Sequence, residues 1–157
     1  MKIDWNSNLV NTLLGVIIGS LLAIGISYLN ENRANNVKKN RALKILLVEF
    51  DKIKSATPGL LNSFNNSFDI IIKAQMTQLP FTSGSFQTLN KDLLLVKFED
   101  YKKIYEFYSK VESFQIEYEK MLAAQTNPEK SVYGLMIKDS LEKISSQLSE
   151  IETILKN

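Results

Sequence analysis

Tyr101, Tyr105, Tyr108 and Tyr118 stand at helical spacing in one stretch that also carries Glu106, Glu112, Glu117 and Glu119. A row of tyrosine faces can stack a planar ligand, and paired carboxylates can pass protons as general acid and base. Both groups have plainer roles at this spacing. Tyrosines three and four residues apart pack into a helix core with their hydroxyls at its edge. The glutamates alternate with Lys102, Lys103, Lys110 and Lys120, as on a solvated face with helical ion pairs.

Residues that the chain lacks narrow the chemistry further. It has no cysteine, which removes disulfides, thiolate nucleophiles and thiolate-bound metals. It has no histidine, which removes the commonest general base, the commonest metal ligand and the Glu-x-x-His motif of di-iron bundles. There is no glycine-rich phosphate loop and no G-x-S-x-G elbow. The sequence therefore predicts no catalytic residue, no cofactor and no metal site. Nineteen basic residues against seventeen acidic ones leave a net charge of +2 in 157 residues, so no nucleic-acid partner is expected.

The apolar content is concentrated near the N-terminus. From Leu9 to Leu29 there is no Asp, Glu, Lys or Arg. As a helix this run is about 31 Å long, matching the hydrocarbon thickness of a bilayer of about 30 Å. A secretory signal would have a basic start, a shorter core and an A-x-A-like cleavage site. Here Asp4 offsets Lys2, the core is too long, and nothing around Tyr28 to Asn30 resembles such a site. A buried core helix is the other alternative. The run is read as one transmembrane helix over residues 9–29, with residues 1–8 outside the cell and Trp5 and Tyr28 at its two interfaces.

Arg33, Lys38, Lys39, Arg41 and Lys44 follow the run, opposed nearby only by Glu31. The positive-inside bias then places the C-terminal part in the cytoplasm and the chain in the cell membrane. The same cations can attract anionic headgroups, each contributing about 1 kcal/mol. Within the run, Gly15, Gly19, Ala23 and Ser27 repeat every fourth residue, with Asn11 extending the row. Small side chains let helix backbones approach closely in lipid, which points to a homo-oligomer or to a larger membrane complex. Asn30, Asn32, Asn35, Asn36 and Asn40 make residues 30–42 a basic neck in which helix is weakened.

Residues 43–157 read as an all-α cytoplasmic bundle of about four helices. Leu43, Leu46, Leu47, Phe50 and Ile53 form one apolar face, with Lys44, Glu49, Asp51 and Lys52 elsewhere. That helix is expected to stop before Pro58, with Thr57 capping a new helix that carries Leu61, Phe64, Phe68, Ile71 and Ile72. Residues 77–92 break the pattern, and Ser83 or Ser85 is expected to cap a short turn through Leu89. Tyr101, Ile104, Tyr105, Tyr108, Val111, Phe114, Tyr118, Met121 and Leu122 mark a long helix beginning at Phe98. Asn127 and Pro128 read as cap and first residue of the last helix. Its seam of Ile137, Leu141, Ile144, Leu148, Ile151 and Leu155 predicts a coiled-coil-like antiparallel hairpin with its predecessor.

The order of an N-terminal span, "RALKILLVEF", "LPFTSGSFQTL" and "YKKIYEFYSKVE" resembles small bacterial membrane-anchored helical proteins. The resemblance implies architecture and no activity. Together these features predict a non-enzymatic single-pass membrane protein that self-associates or serves as an accessory or scaffold subunit through protein–protein contact. The alternative is a membrane effector, of the kind found in bacterial anti-phage defence. Its bundle would sense a partner or ligand, and its assembled spans would perturb the bilayer.

Overall fold

Every element of the computed structural model is a helix, and it describes residues 5–66, 81 and 83–156. In chain order these are α1 (Trp5–Asn66), α2 (Gly84–Leu93), α3 (Phe98–Ala123) and α4 (Asn127–Lys156). The chain divides into two units, residues 1–38 and residues 39–157. The first consists of the N-terminal part of α1. The second holds the core.

α1 departs from expectation at two places. The asparagine-rich stretch 30–42 is helical throughout. Asparagine costs a helix only several tenths of a kcal/mol per residue, and a stretch flanked by helix on both sides needs no new nucleus. The helix also runs through Pro58, which the sequence reading placed at a boundary. Thr57 is therefore not a cap. It is fully buried, and its hydroxyl donates to the Ile53 carbonyl one turn back at 2.7 Å. An interior proline costs about 3 kcal/mol. Beyond it, Leu60 and Phe64 are buried, and each such side chain contributes about 1.5–3 kcal/mol, so their burial covers the loss. The expected positions Phe68, Ile71 and Ile72 lie outside the described residues, as do residues 77–80.

The α1 face is as the sequence predicts, with Leu43, Leu46, Phe50 and Ile53 buried and Leu47 partly so. Glu49 is the exception. Its charge predicts a place on the polar side, yet only 7% of it is exposed. α2 buries Phe86 and Leu93 and extends further than the turn expected to end at Leu89. Ser83 stands at its N-cap position, but its hydroxyl makes no capping bond.

α3 and α4 form the predicted antiparallel hairpin. Lys103 pairs with Glu150 near one end, and Ser140 donates to Glu117 toward the other. Ile137, Leu141, Ile144, Ile151 and Leu155 are buried along the α4 seam, with Leu148 partly covered. Thr126 rather than Asn127 caps α4. Its hydroxyl accepts from the Glu129 N–H and the Glu129 carboxylate accepts from the Thr126 N–H, both at 3.4 Å. This reciprocal T-x-x-E pair satisfies two otherwise orphaned donors, which Asn127 inside the first turn cannot do. On α3, Tyr105 and Leu122 are exposed where core positions were expected, and the fully buried Phe107 takes the place between Ile104 and Val111.

The aromatic side chains knit the second unit together. Phe50 of α1 meets Phe107 of α3 at 5.6 Å, Phe86 of α2 stacks on Tyr108 at 4.9 Å, and Phe81 meets Phe114 at 4.6 Å. Gln115 of α3 also donates to the Phe81 carbonyl, tying the segment before α2 to the hairpin.

Candidate functional site

The residues singled out in the apolar run all lie on α1 in the first unit. Its most apolar stretch has no buried residue. Leu21, Ile24 and Tyr28 are about two-thirds exposed, at 64%, 65% and 66%. Gly15, Gly19, Ala23 and Ser27 run along one side of this helix, and all four are exposed. A methyl group built at Gly15 or Gly19 would meet nothing within 4 Å, so no packing inside the chain requires glycine there. Gly25, off the row, is equally open, and register alone distinguishes the other two.

The five cations divide between the units: Arg33 and Lys38 in the first, Lys39, Arg41 and Lys44 in the second. None of them forms an ion pair among the described residues, whereas Lys54, Lys103, Lys138, Lys143 and Lys156 are all paired. The exposed lysines and arginines of α1 are thus available to an anionic surface.

Inside the second unit the structure assembles a polar group that sequence reasoning missed. Glu49 of α1 accepts a hydrogen bond from the backbone N–H of Ser85 at 3.1 Å. Ser85 lies in the first turn of α2, where unsatisfied N–H groups and the helix dipole favour a negative charge. A carboxylate from another helix thereby replaces the missing Ser83 cap. Tyr108 of α3 lies beside Glu49 and directs its hydroxyl to the Leu46 carbonyl at 3.4 Å. One phenolic proton cannot serve both acceptors, and Glu49 Oε1 is left without a partner among the described residues. Burial chiefly, and then the Glu49 charge, push the Tyr108 hydroxyl well above its ordinary pKa.

A hollow of about 360 Å³ beside this group is lined by Ile45, Val48, Glu49, Lys52 and Ser85. Glu49 Oε1 is closed off from solvent, so the carboxylate does not offer that oxygen to the hollow. The arrangement holds α1, α2 and α3 together at one point. Among the described residues no cluster of three or more acidic side chains is placed to hold a metal ion.

No protein-family model matches the chain, and no match was found among curated proteins or solved structures.

The four tyrosines do not form a ladder: Tyr108 and Tyr118 are buried, Tyr101 is partly covered and donates to Asn90 at 2.8 Å, and Tyr105 is half exposed. Glu117 and Lys103 are bound to α4, to Ser140 and Glu150. The signal for Glu49 was present in its register. It stands three residues after Leu46 and four before Ile53, inside the buried arc of the helix.

Proposed function

We propose that the chain is a single-pass membrane protein without catalytic activity, anchored by residues 9–29. In this reading its helical C-terminal unit lies in the cytoplasm, and the protein self-associates or serves as an accessory or scaffold subunit of a membrane complex. One observation carries the proposal: the longest apolar run of the chain is helical and, from Thr12 onward, has no protein cover. An apolar surface of that extent is stable against lipid or against other copies, not against water. The orientation rests on the cations that follow the run, and association through Gly15, Gly19, Ala23 and Ser27 rests on their shared register and open surroundings.

The test is purification of the full-length protein in mild detergent with measurement of its mass and of any chains that accompany it. A membrane-bound oligomer or complex that Gly19→Ile disrupts is the expected result. Recovery of the intact protein in the aqueous fraction after lysis overturns the anchor, and a C-terminal tag accessible from outside the cell overturns the orientation. Growth arrest on overexpression, abolished by Gly19→Ile, would favour a membrane effector over a scaffold.

A further inference from the structure

We infer that α2 is a lid: it lifts off α1 and α3 as one unit while the α3–α4 hairpin stays folded, and its lifting uncovers Tyr108 and the Glu49 carboxylate. The device lies within the second unit alone and does not depend on where the N-terminal run resides.

α2 has little of its own to hold it. A helix of ten residues is marginal in isolation, so it depends on what it packs against. It buries Phe86 and Leu93 and leaves its N-cap hydroxyl unused. Lys91 and Asp92 form no ion pair among the described residues. Leu94 and Leu95, which follow the helix, are exposed and add nothing to the core. α4, in contrast, buries a seam from Ile137 to Leu155.

The contacts of α2 divide between two neighbours. Toward α3, Phe86 stacks on Tyr108 and meets Tyr105 edge-on at 6.0 Å. Tyr101 donates to Asn90, and Gln87 donates to Glu112 at 3.4 Å. Both bonds are at least partly open to water, which can serve either partner once the helix lifts. Toward α1, the Ser85 N–H donates to Glu49, and the 360 Å³ hollow lies beside that bond. Ser85 forms its α2 side, and Ile45, Val48, Glu49 and Lys52 form its α1 side. α2 is thus incompletely packed on α1 at the point where a buried carboxylate fastens its first turn. Glu49 Oε1 has no partner among the described residues in the closed state. Water reaches both oxygens when α2 lifts, which lowers the cost of opening.

The chain is anchored on both sides of the lid. Before it, Phe81 is buried against Phe114, Gln115 donates to the Phe81 carbonyl, and Ser83 donates to Gln115. After it, α3 is held to α4 by Lys103 on Glu150 and by Ser140 on Glu117. Lids and binding elements are drawn from segments of low local stability set between firmer ones. Lifting α2 bares an aromatic face of Tyr105 and Tyr108 beside a carboxylate.

Hydrogen exchange of the full-length protein in detergent, read by mass spectrometry, tests the lid. Amides 87–93 are expected to exchange about tenfold or more faster than those of Ile144 and Ile151 on the α4 seam, with little response to low urea. Ile151→Val should speed the seam by about three- to tenfold and leave α2 unchanged, because the hairpin is intact in the opened state. Glu49→Ala should speed both by the same factor, about five- to thirtyfold, since its bond is broken in lid opening and in global unfolding alike. Amides 87–93 that exchange at the rate of the seam, and follow it in Ile151→Val, overturn the lid. Fast α2 exchange that Glu49→Ala leaves unchanged overturns Glu49 as its fastening. The wild-type comparison and Ile151→Val decide the matter even if Glu49→Ala fails to fold.

Discussion

Glu49 on α1 accepts a hydrogen bond from the backbone N–H of Ser85, 36 residues later in the chain, at 3.1 Å. Through it the first turn of α2 is capped by a side chain from another helix. The bond couples a local requirement of α2 to the packing of α1, since α2 lacks a side-chain cap of its own.

Glu49→Ala is expected to destabilise the protein by about 1–2 kcal/mol, the range for losing a cap or leaving a buried donor unpaired. Glu49→Gln keeps an acceptor and should lose about half as much. Thermal unfolding of the full-length protein in detergent, followed by circular dichroism, measures both. Equal loss in the two variants would show that the charge, rather than the acceptor, matters.

Tyr108 gives the fold an alkaline limit. Its folded pKa lies above the unfolded value of 10.0, because burial and then Glu49 oppose ionisation. Below that value both states hold the proton and the stabilisation is fully present. Above it the unfolded chain ionises first, so stability falls as pH rises, by about 1.4 kcal/mol per pH unit for this one group. Tyr108→Phe should flatten the decline of melting temperature between about pH 10 and 11.5. An unchanged slope would assign the decline to other groups.

Pro58 sits on an exposed position within α1 and withholds the N–H that Lys54 would otherwise receive. Pro58→Ala restores that bond and removes the ring, and is expected to stabilise the protein by about 1–3 kcal/mol. Denaturant unfolding reads the sign directly. A loss of stability would mean that the helix requires a bend at this point.

Glu152 accepts from Lys156 and from Lys54, which in that order hold its carboxyl at a pKa of about 2, below its ordinary 4.5. The stabilisation from this surface cluster is present above the ordinary value and is lost as pH falls through the folded one. Lys156→Met should move the Glu152 midpoint upward in a side-chain NMR titration. A midpoint that stays in place would remove Lys156 as the cause.

Much of the architecture is legible in the sequence because it depends on near neighbours. The uncharged run from Leu9 to Leu29 and the α4 seam from Ile137 to Leu155 are patterns of this kind; both appear as helices, the run exposed from Thr12 onward and the seam buried. The T-x-x-E cap of α4 was equally local and lay one residue from the expected position. The passage of α1 through Pro58 was not legible, because a local penalty was outweighed by burial of Leu60 and Phe64 against distant residues. The same holds for Phe107, whose place in the core is set by Phe50 across the helix pair.

By itself the sequence determined the helical class, the uncharged apolar run, the charge that follows it and the absence of thiol and imidazole chemistry. These depend on composition and on spacing along one chain segment. Only the tertiary structure decided that Glu49 is buried and that it caps α2. Each of those depends on which helices face one another, and side-chain contacts across tens of residues leave no periodic trace in the segments that make them.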